Sequence, residues 1–417
     1  MELLRKGKRQ YAGYTQGGRR GVALLCLCLL SLPAQAIWLG QSQVNPYLEV
    51  QEIYESNLYN ASTDEESGLI TVISPGVHAE FPNSEDAKVR VIGNYRANLK
   101  LYNKHGDSSV DPNEELNTIE HRLEGKMEAK LSSGFAFATG YVLDLTSFPP
   151  SNPVDMNEAE LSVNTREHYA QHTFTAMGQY SFVDRYEVQL EYTGMLRSYE
   201  ENDDSDTTTH DIDATFFYRL FPSLTLLGGG GYGMTDLQGS DSSDSTIYRG
   251  FGGARFDATS VLTGQIKLGV IAKDFTENEF EDVTTVYALG EIAAKFSENT
   301  KLSVLLNREV SDTSLTSTTT DNGEYYIATG IQGNLTHTLA VLPNLTLRGL
   351  AGLKKEVYPE DSDERDDTIF EVGAGADYKF YKFLILGAEY IHIQSDSSVS
   401  GYEYSADRAM ISVRGIL

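Results

Sequence analysis

The chain has 417 residues, 60 acidic against 33 basic side chains for a formal charge of −27, 40% hydrophobic residues and two cysteines. So acidic a chain offers nucleic acid no basic footprint. Past Ala36 no 18 apolar residues stand in a row. That excludes a membrane-crossing helix there but not crossing by strands, because closed barrels also satisfy the backbone in lipid.

The N-terminus reads as a signal peptide over 1–36. Arg5, Lys6, Lys8, Arg9, Arg19 and Arg20 form the positive region, Val22 to Leu32 the apolar region, and Ala34-Gln35-Ala36 a small-x-small cleavage site. The mature chain, 37–417, is expected to begin at Ile37 after Sec export, because a barrel must reach the membrane unfolded. Cys26 and Cys28 lie inside the apolar region, preceded by Leu25 and Leu27 rather than by the small residue lipidation requires. The mature chain then has no thiol and a charge near −32.

From there a hydrophobic period of two recurs eighteen times, over about 44–54, 69–81, 87–101, 118–131, 135–146, 166–182, 185–199, 209–221, 223–237, 246–257, 261–275, 283–296, 301–310, 324–339, 345–358, 367–380, 383–394 and 403–417. Alternation of this kind behind a secretion signal predicts an all-β fold, a transmembrane antiparallel up-and-down barrel of about eighteen strands, with sixteen as the alternative. Short connections such as Pro222-Ser223 and Tyr381-Lys382 alternate with longer acidic ones such as Glu200 to Asp206 and Glu360 to Asp367. Short connections read as periplasmic turns and long ones as extracellular loops, which puts both termini in the periplasm.

Aromatics sort by strand end. Phe81, Phe135, Phe182, Phe221, Phe256, Phe296, Phe380 and Phe383 stand beside the short turns; Tyr54, Tyr102, Tyr199, Tyr325, Tyr326 and Tyr358 stand near the long loops. Two interfacial girdles are the expectation.

The phase opposite the apolar one predicts the lumen. It carries Lys88, Arg90, Arg96 and Lys100; then Glu120, Arg122, Glu124, Lys126, Glu128 and Lys130; then Glu187, Glu191 and Arg197; then Asp211, Asp213 and Arg219. An interior this charged needs water or pairing across strands, and a barrel of this size encloses an aqueous channel. Tyr199, Phe217 and Phe251 share that phase, either as faces for sugar rings or packed within the wall. The glycines 228–231 and 250, 252 and 253 lack the helix and Lys-Ser/Thr of a phosphate loop, so they read as strand glycines at a bend or beneath facing aromatics. His168 and His172 share a strand face without a third ligand, and loop residues such as His105 stand in no catalytic motif. Neither an enzyme nor a cofactor or metal site is expected.

Glu52-Ile53-Tyr54-Glu55-Ser56-Asn57-Leu58-Tyr59, followed after an acidic gap by Ile70 to Val77 with Pro75-Gly76, resembles the outer-membrane β-barrel porins encoded with exopolysaccharide biosynthesis clusters. The residues that carry the likeness are Tyr54, Asn57, Pro75 and Gly76. Pro75-Gly76 also reads simply as a bulge. The resemblance implies export of a capsular, slime or biofilm polysaccharide, with a periplasmic polysaccharide-export protein as partner. The outer membrane, with its lipid and lipopolysaccharide, is the expected location, reached through the barrel-assembly machinery, which reads the last strand.

Two other classes remain open. A diffusion porin for small hydrophilic solutes predicts a loop folded inward to constrict the lumen, with 103–117 and 147–164 the longest candidates. A structural or surface-binding barrel predicts a lumen blocked by paired charges.

Overall fold

The computed structural model describes residues 37–40, 42–63, 65–84, 87–104, 117–131, 134–147, 168–200, 206–238, 244–257, 261–276, 281–312, 325–359 and 365–416. The signal peptide with Ala34 and Ala36, His105, and most of both candidate constricting loops lie outside them.

The elements in chain order are β1 (Ile37–Leu39), β2 (Ser42–Glu55), β3 (Gly68–Phe81), β4 (Val89–Lys104), β5 (Thr118–Lys130), β6 (Phe135–Ser147) and β7 (His168–Phe182). Next come β8 (Tyr186–Tyr199), β9 (Thr207–Phe221), β10 (Leu224–Leu237), β11 (Ser245–Asp257), β12 (Leu262–Phe275) and β13 (Val283–Lys295). The last are β14 (Thr300–Asp312), β15 (Tyr325–Thr338), β16 (Leu345–Val357), β17 (Asp366–Tyr381), β18 (Leu384–Ser397) and β19 (Tyr404–Ile416). Each of β2 to β19 pairs antiparallel with its sequence neighbours, and β19 returns to β2 from Ile416↔Tyr47 to Arg408↔Glu55. The result is a closed ring of eighteen strands. Closure leaves no sheet edge facing lipid, the condition a strand protein must meet there. No predicted strand boundary is off by more than three residues. The addition is β1, which lies along β2 through Ile37↔Val44, beyond the end of β19.

The expected alternation sets the two faces. Val89, Val91, Leu123, Leu190, Leu268, Val270 and Ile411 are exposed on the outer wall; Ile411 keeps 63% and Leu268 59% of its surface open. Exposure of that order on large aliphatic side chains along the whole ring fits lipid rather than water. Both described chain ends lie at the end of the barrel with the short connections, here the turn end; the other is the loop end.

For the residues named, the girdle expectation holds at one end only. Phe81, Phe135, Phe221, Phe296 and Phe380 are exposed at the turn end. At the loop end Tyr54 faces outward, but Tyr102, Tyr199, Tyr325, Tyr326 and Tyr358 are buried. Outward aromatics near the loop end include Tyr248 and Phe370. Nearer mid-strand, four tyrosines also face outward, Tyr95, Tyr141, Tyr192 and Tyr390. Each hydroxyl is hydrogen-bonded on the wall, to His121 at 2.9 Å, His172 at 2.8 Å, His210 at 2.8 Å and Asp407 at 2.5 Å respectively. Pairing satisfies polar groups that a lipid-facing position would otherwise leave bare. His168 and His172 share this outward face.

Pro75-Gly76 is not a bulge. The β3–β4 register is the same on both sides, Ile73↔Leu99 and Gly76↔Arg96, with only Ser74 and Pro75 skipped. Proline has no N–H to give the ladder, and Ser74 donates instead to the Asn98 side chain at 2.8 Å.

Candidate functional site: a charged lumen narrowed at one end

The charged residues of the predicted lumen phase that lie in strands alternate with the exposed aliphatic ones, and most sit in ion pairs. Arg90 meets Glu80 at 3.0 Å, Lys100 meets Glu120 at 2.7 Å, and Lys126 meets Glu128 at 2.6 Å. Arg122 lies between Glu124 and Asp144, at 2.9 Å from the latter. Glu187 reaches Arg255 on β11 at 3.2 Å, and Glu191 accepts from Gln189 at 2.7 Å. Arg197 is buried, donating to Gln171 at 2.7 Å with its guanidinium 4.8 Å from the Tyr169 ring centre. Asp211 and Asp213 both hold Arg249. Lys88, Lys130 and Arg219 are exposed at the turn end.

Within this wall lies a chamber of about 1230 Å³, lined among others by Asn45, Tyr47, His78, Arg96, Glu124, Lys126, Glu191, Asp211, Asp213, Lys382 and Arg414. Ala138 and Gly140 of β6 line it too. The chamber exceeds the ~300–1,000 Å³ typical of small-molecule sites, so a small polar solute fits with some of its water. Arg96 and Arg414 lie on the β19-to-β4 arc and Glu191, Asp211 and Asp213 on β8 and β9.

Toward the loop end, two segments fold inward from opposite sides of the ring. The first is 57–61. Leu58, Tyr59 and Ala61 pack on Ile53, Ile70, Val72 and Tyr102, all on the inward faces of β2, β3 and β4. Asn57, with no exposed surface, holds the turn: its amide donates to the Ala61 carbonyl at 2.7 Å and the Ser405 carbonyl at 3.1 Å, and its Oδ1 accepts from the Ala61 N–H at 2.9 Å.

The second is the loop end of the β14–β15 hairpin. The β13–β14 ladder runs up from Lys295↔Lys301 and stops at Ala288↔Arg308. Above it, Val310 and Tyr325 pack with Ile247, Ile271, Phe275, Val283, Tyr287 and Ile327. Ile247, Ile271, Phe275, Val283 and Tyr287 alternate with outward residues such as Tyr248, Val270 and Val286, so they belong to the inner wall. Lys273 of β12, fully buried, pairs with Asp312 of β14 although β13 lies between them in the ring. The strand ends 310–312 and 325–327 therefore lie inside the barrel against β11 to β13. These eighteen strands place β12 half a turn from β3, so the lumen is narrowed from both walls. Beside it, Tyr358 just past β16 donates to Glu356 at 3.0 Å, and burial pushes its hydroxyl pKa up.

The family-like residues divide in role. Tyr54 is exposed on the outer wall, Asn57 ties the first loop to the last strand, and Pro75 interrupts a ladder. Gly76 lies under Tyr47, whose ring a β-carbon at that position would overlap.

Tyr199, Phe217 and Phe251 do not present faces to the lumen; all three are buried. Phe217 and Phe251 pack with Leu227, and the Phe251 ring lies over Gly229, where a β-carbon would come within 2.9 Å of it. Arg255 and Lys267 cover these rings at 4.0 and 4.7 Å from their centres. Packing within the wall, with cations over the rings, is the outcome.

Sequence reading missed the inward hairpin end. The signal was present: Ile247, Ile271, Phe275 and Tyr287 are apolar side chains in the lumen phase of three successive strands, where a wet interior calls for polar ones.

Solved structures similar to this one include the three that follow. A BenF-like porin from Pseudomonas fluorescens Pf-5 has 14% identity and a TM-score of 0.49, over 91% of this chain and 100% of that chain. OpdK of Pseudomonas aeruginosa, solved with vanillate, has 10% identity and 0.48 over 90% and 99%. OccK9 (OpdG) of the same species has 11% identity and 0.48 over 90% and 98%. No curated protein sequence matches. The family described as "Putative beta-barrel porin 2" matches residues 33–416, nearly the whole chain. The chain belongs to this family and is a β-barrel porin of the Gram-negative outer membrane.

Proposed function

We propose that this porin passes small hydrophilic solutes by diffusion through its lumen, with the loop end outside the cell, the turn end in the periplasm, and the signal peptide 1–36 removed. The charged residues of the inward phase line the path, and Arg96 and Arg414 face Glu191, Asp211 and Asp213 across the chamber. One observation carries the reading: segments 57–61 and the β14–β15 end narrow the lumen from opposite walls. A narrowed, charged, water-filled passage suits small polar solutes. A long hydrated polymer needs a wide clear bore, so the narrowing favours diffusion over the polysaccharide export, with its periplasmic partner, that the family resemblance implied.

The test is reconstitution. In planar bilayers the purified barrel is expected to give discrete conductance steps, and in liposomes to admit monosaccharides faster than large oligosaccharides. Sealed vesicles and silent bilayers would leave a structural barrel. A deletion strain that retains polymer in its periplasm while small-solute uptake stays normal would restore export.

A further inference from the structure

The same strand end fits two seats. Above Ala288↔Arg308, β13 and β14 separate, yet each keeps its other neighbour: Val283 still pairs with Lys273, and Asp312 with Tyr325. Continuing the β13–β14 register would set Tyr287 opposite Glu309 and Thr285 opposite Ser311. In that arrangement Val310, Tyr325 and Ile327 fall into the outward phase of Ile331 and Leu335, which are exposed on the outer wall. Glu309, Ser311 and Tyr326 fall into the lumen phase. Val310, Tyr325 and Ile327 thus suit a complete wall in lipid as well as the inward position observed, with the charged Arg308 at the fork and Asp312 at the rim.

The inner wall is equally prepared. Ile247, Ile271, Phe275 and Tyr287 form an apolar seat on the inner wall, and it receives Val310 and Tyr325. The Lys273–Asp312 pair is lost on leaving: Lys273 then faces the lumen, while Asp312, the last residue of β14, takes an outward position at the rim of the wall. Arg308 marks the fork, donating to Thr329 of β15 at 2.5 Å and Thr285 of β13 at 3.2 Å.

We propose that the strand ends 309–312 of β14 and 325–327 of β15 form a gate. Seated inward it narrows the lumen and leaves β13 and β14 unzipped; returned to the wall it completes their ladder and widens the passage. Two discrete packings of one segment make a switch rather than a continuous deformation. The inference rests on the pore reading above and adds its regulation.

The test uses the mature barrel, which has no cysteine of its own, because Cys26 and Cys28 both precede residue 37. One variant carries Ile271→Cys with Val310→Cys, to fix the inward seat. The other carries Thr285→Cys with Ser311→Cys, to fix the zipped wall. Cross-linking is scored by mass and conductance in planar bilayers before and after reductant. Both pairs are expected to cross-link. The zipped form is expected to conduct at least about twofold more than the inward form, reductant abolishing the difference. Failure of the second pair to cross-link while the first does overturns the gate. So do two locked forms that conduct alike in a conducting parent. A silent parent overturns the pore reading, and the gate with it.

Discussion

Asn57 joins the two ends of the barrel: its side-chain amide donates to the Ser405 carbonyl at 3.1 Å, across the junction where the ring closes. Backbone bonds flank it, from Ser56 N–H to the Asp407 carbonyl at 2.9 Å, with Asp407 N–H donating to Ser56 Oγ at 2.7 Å. The residue also holds the 57–61 turn that narrows the lumen, so one amide couples closure of the wall to the shape of the passage.

Asn57→Ala strands the partners of a fully buried amide. Each buried polar group left without its bond costs about 1–3 kcal/mol. A loss of about 2–4 kcal/mol is expected, read as a lower urea midpoint in lipid vesicles. An unchanged midpoint would mean the amide does not hold the seam.

Gly76→Val drives a side chain into the Tyr47 ring. Overpacking of this kind costs about 1–3 kcal/mol. Tyr47→Ala in the same chain should recover most of it. A double variant no more stable than Gly76→Val alone would place the strain elsewhere.

Arg96 lines the chamber with no carboxylate in ion-pair contact among the described residues. Arg96→Glu should move ion selectivity toward cations, seen as a shifted zero-current potential in a salt gradient. The sign follows from adding negative charge to the wall of a narrow aqueous path. No shift would put the conducting path away from this chamber.

Leu268 and Gln265 stand on opposite faces of β12. Leu268→Arg should destabilise the barrel in bilayers by about 2–4 kcal/mol, the cost of a cation near the lipid midplane. Gln265→Arg faces water and should change stability by less than about 1 kcal/mol. Equal effects would contradict a lipid-facing outer wall.

How far the sequence reaches is visible on β4 and β14. On β4 the period of two placed Arg90, Arg96 and Lys100 inward and Val89 and Val91 outward, and the strand follows it over its length. On β14 the period of two that sets Leu302 and Leu306 outward would carry Val310 with them, whereas Val310 is covered within the barrel. Alternation fixes which side chains share a face. It does not fix what that face meets once the strand leaves its neighbour. The loop-end tyrosines failed in the same way, because proximity to a loop does not say on which side of the wall an aromatic lies.

By itself the sequence determined the all-β class, a barrel of about eighteen strands, their boundaries to within three residues and the two faces of most of the wall. All follow from local periodicity and from the rule that a backbone in lipid must be fully paired. Only the tertiary structure decided how wide the passage is. That depends on contacts between residues far apart in the chain, Tyr102 with Leu58 and Tyr325 with Ile271, whose burial against the inner wall no local pattern records.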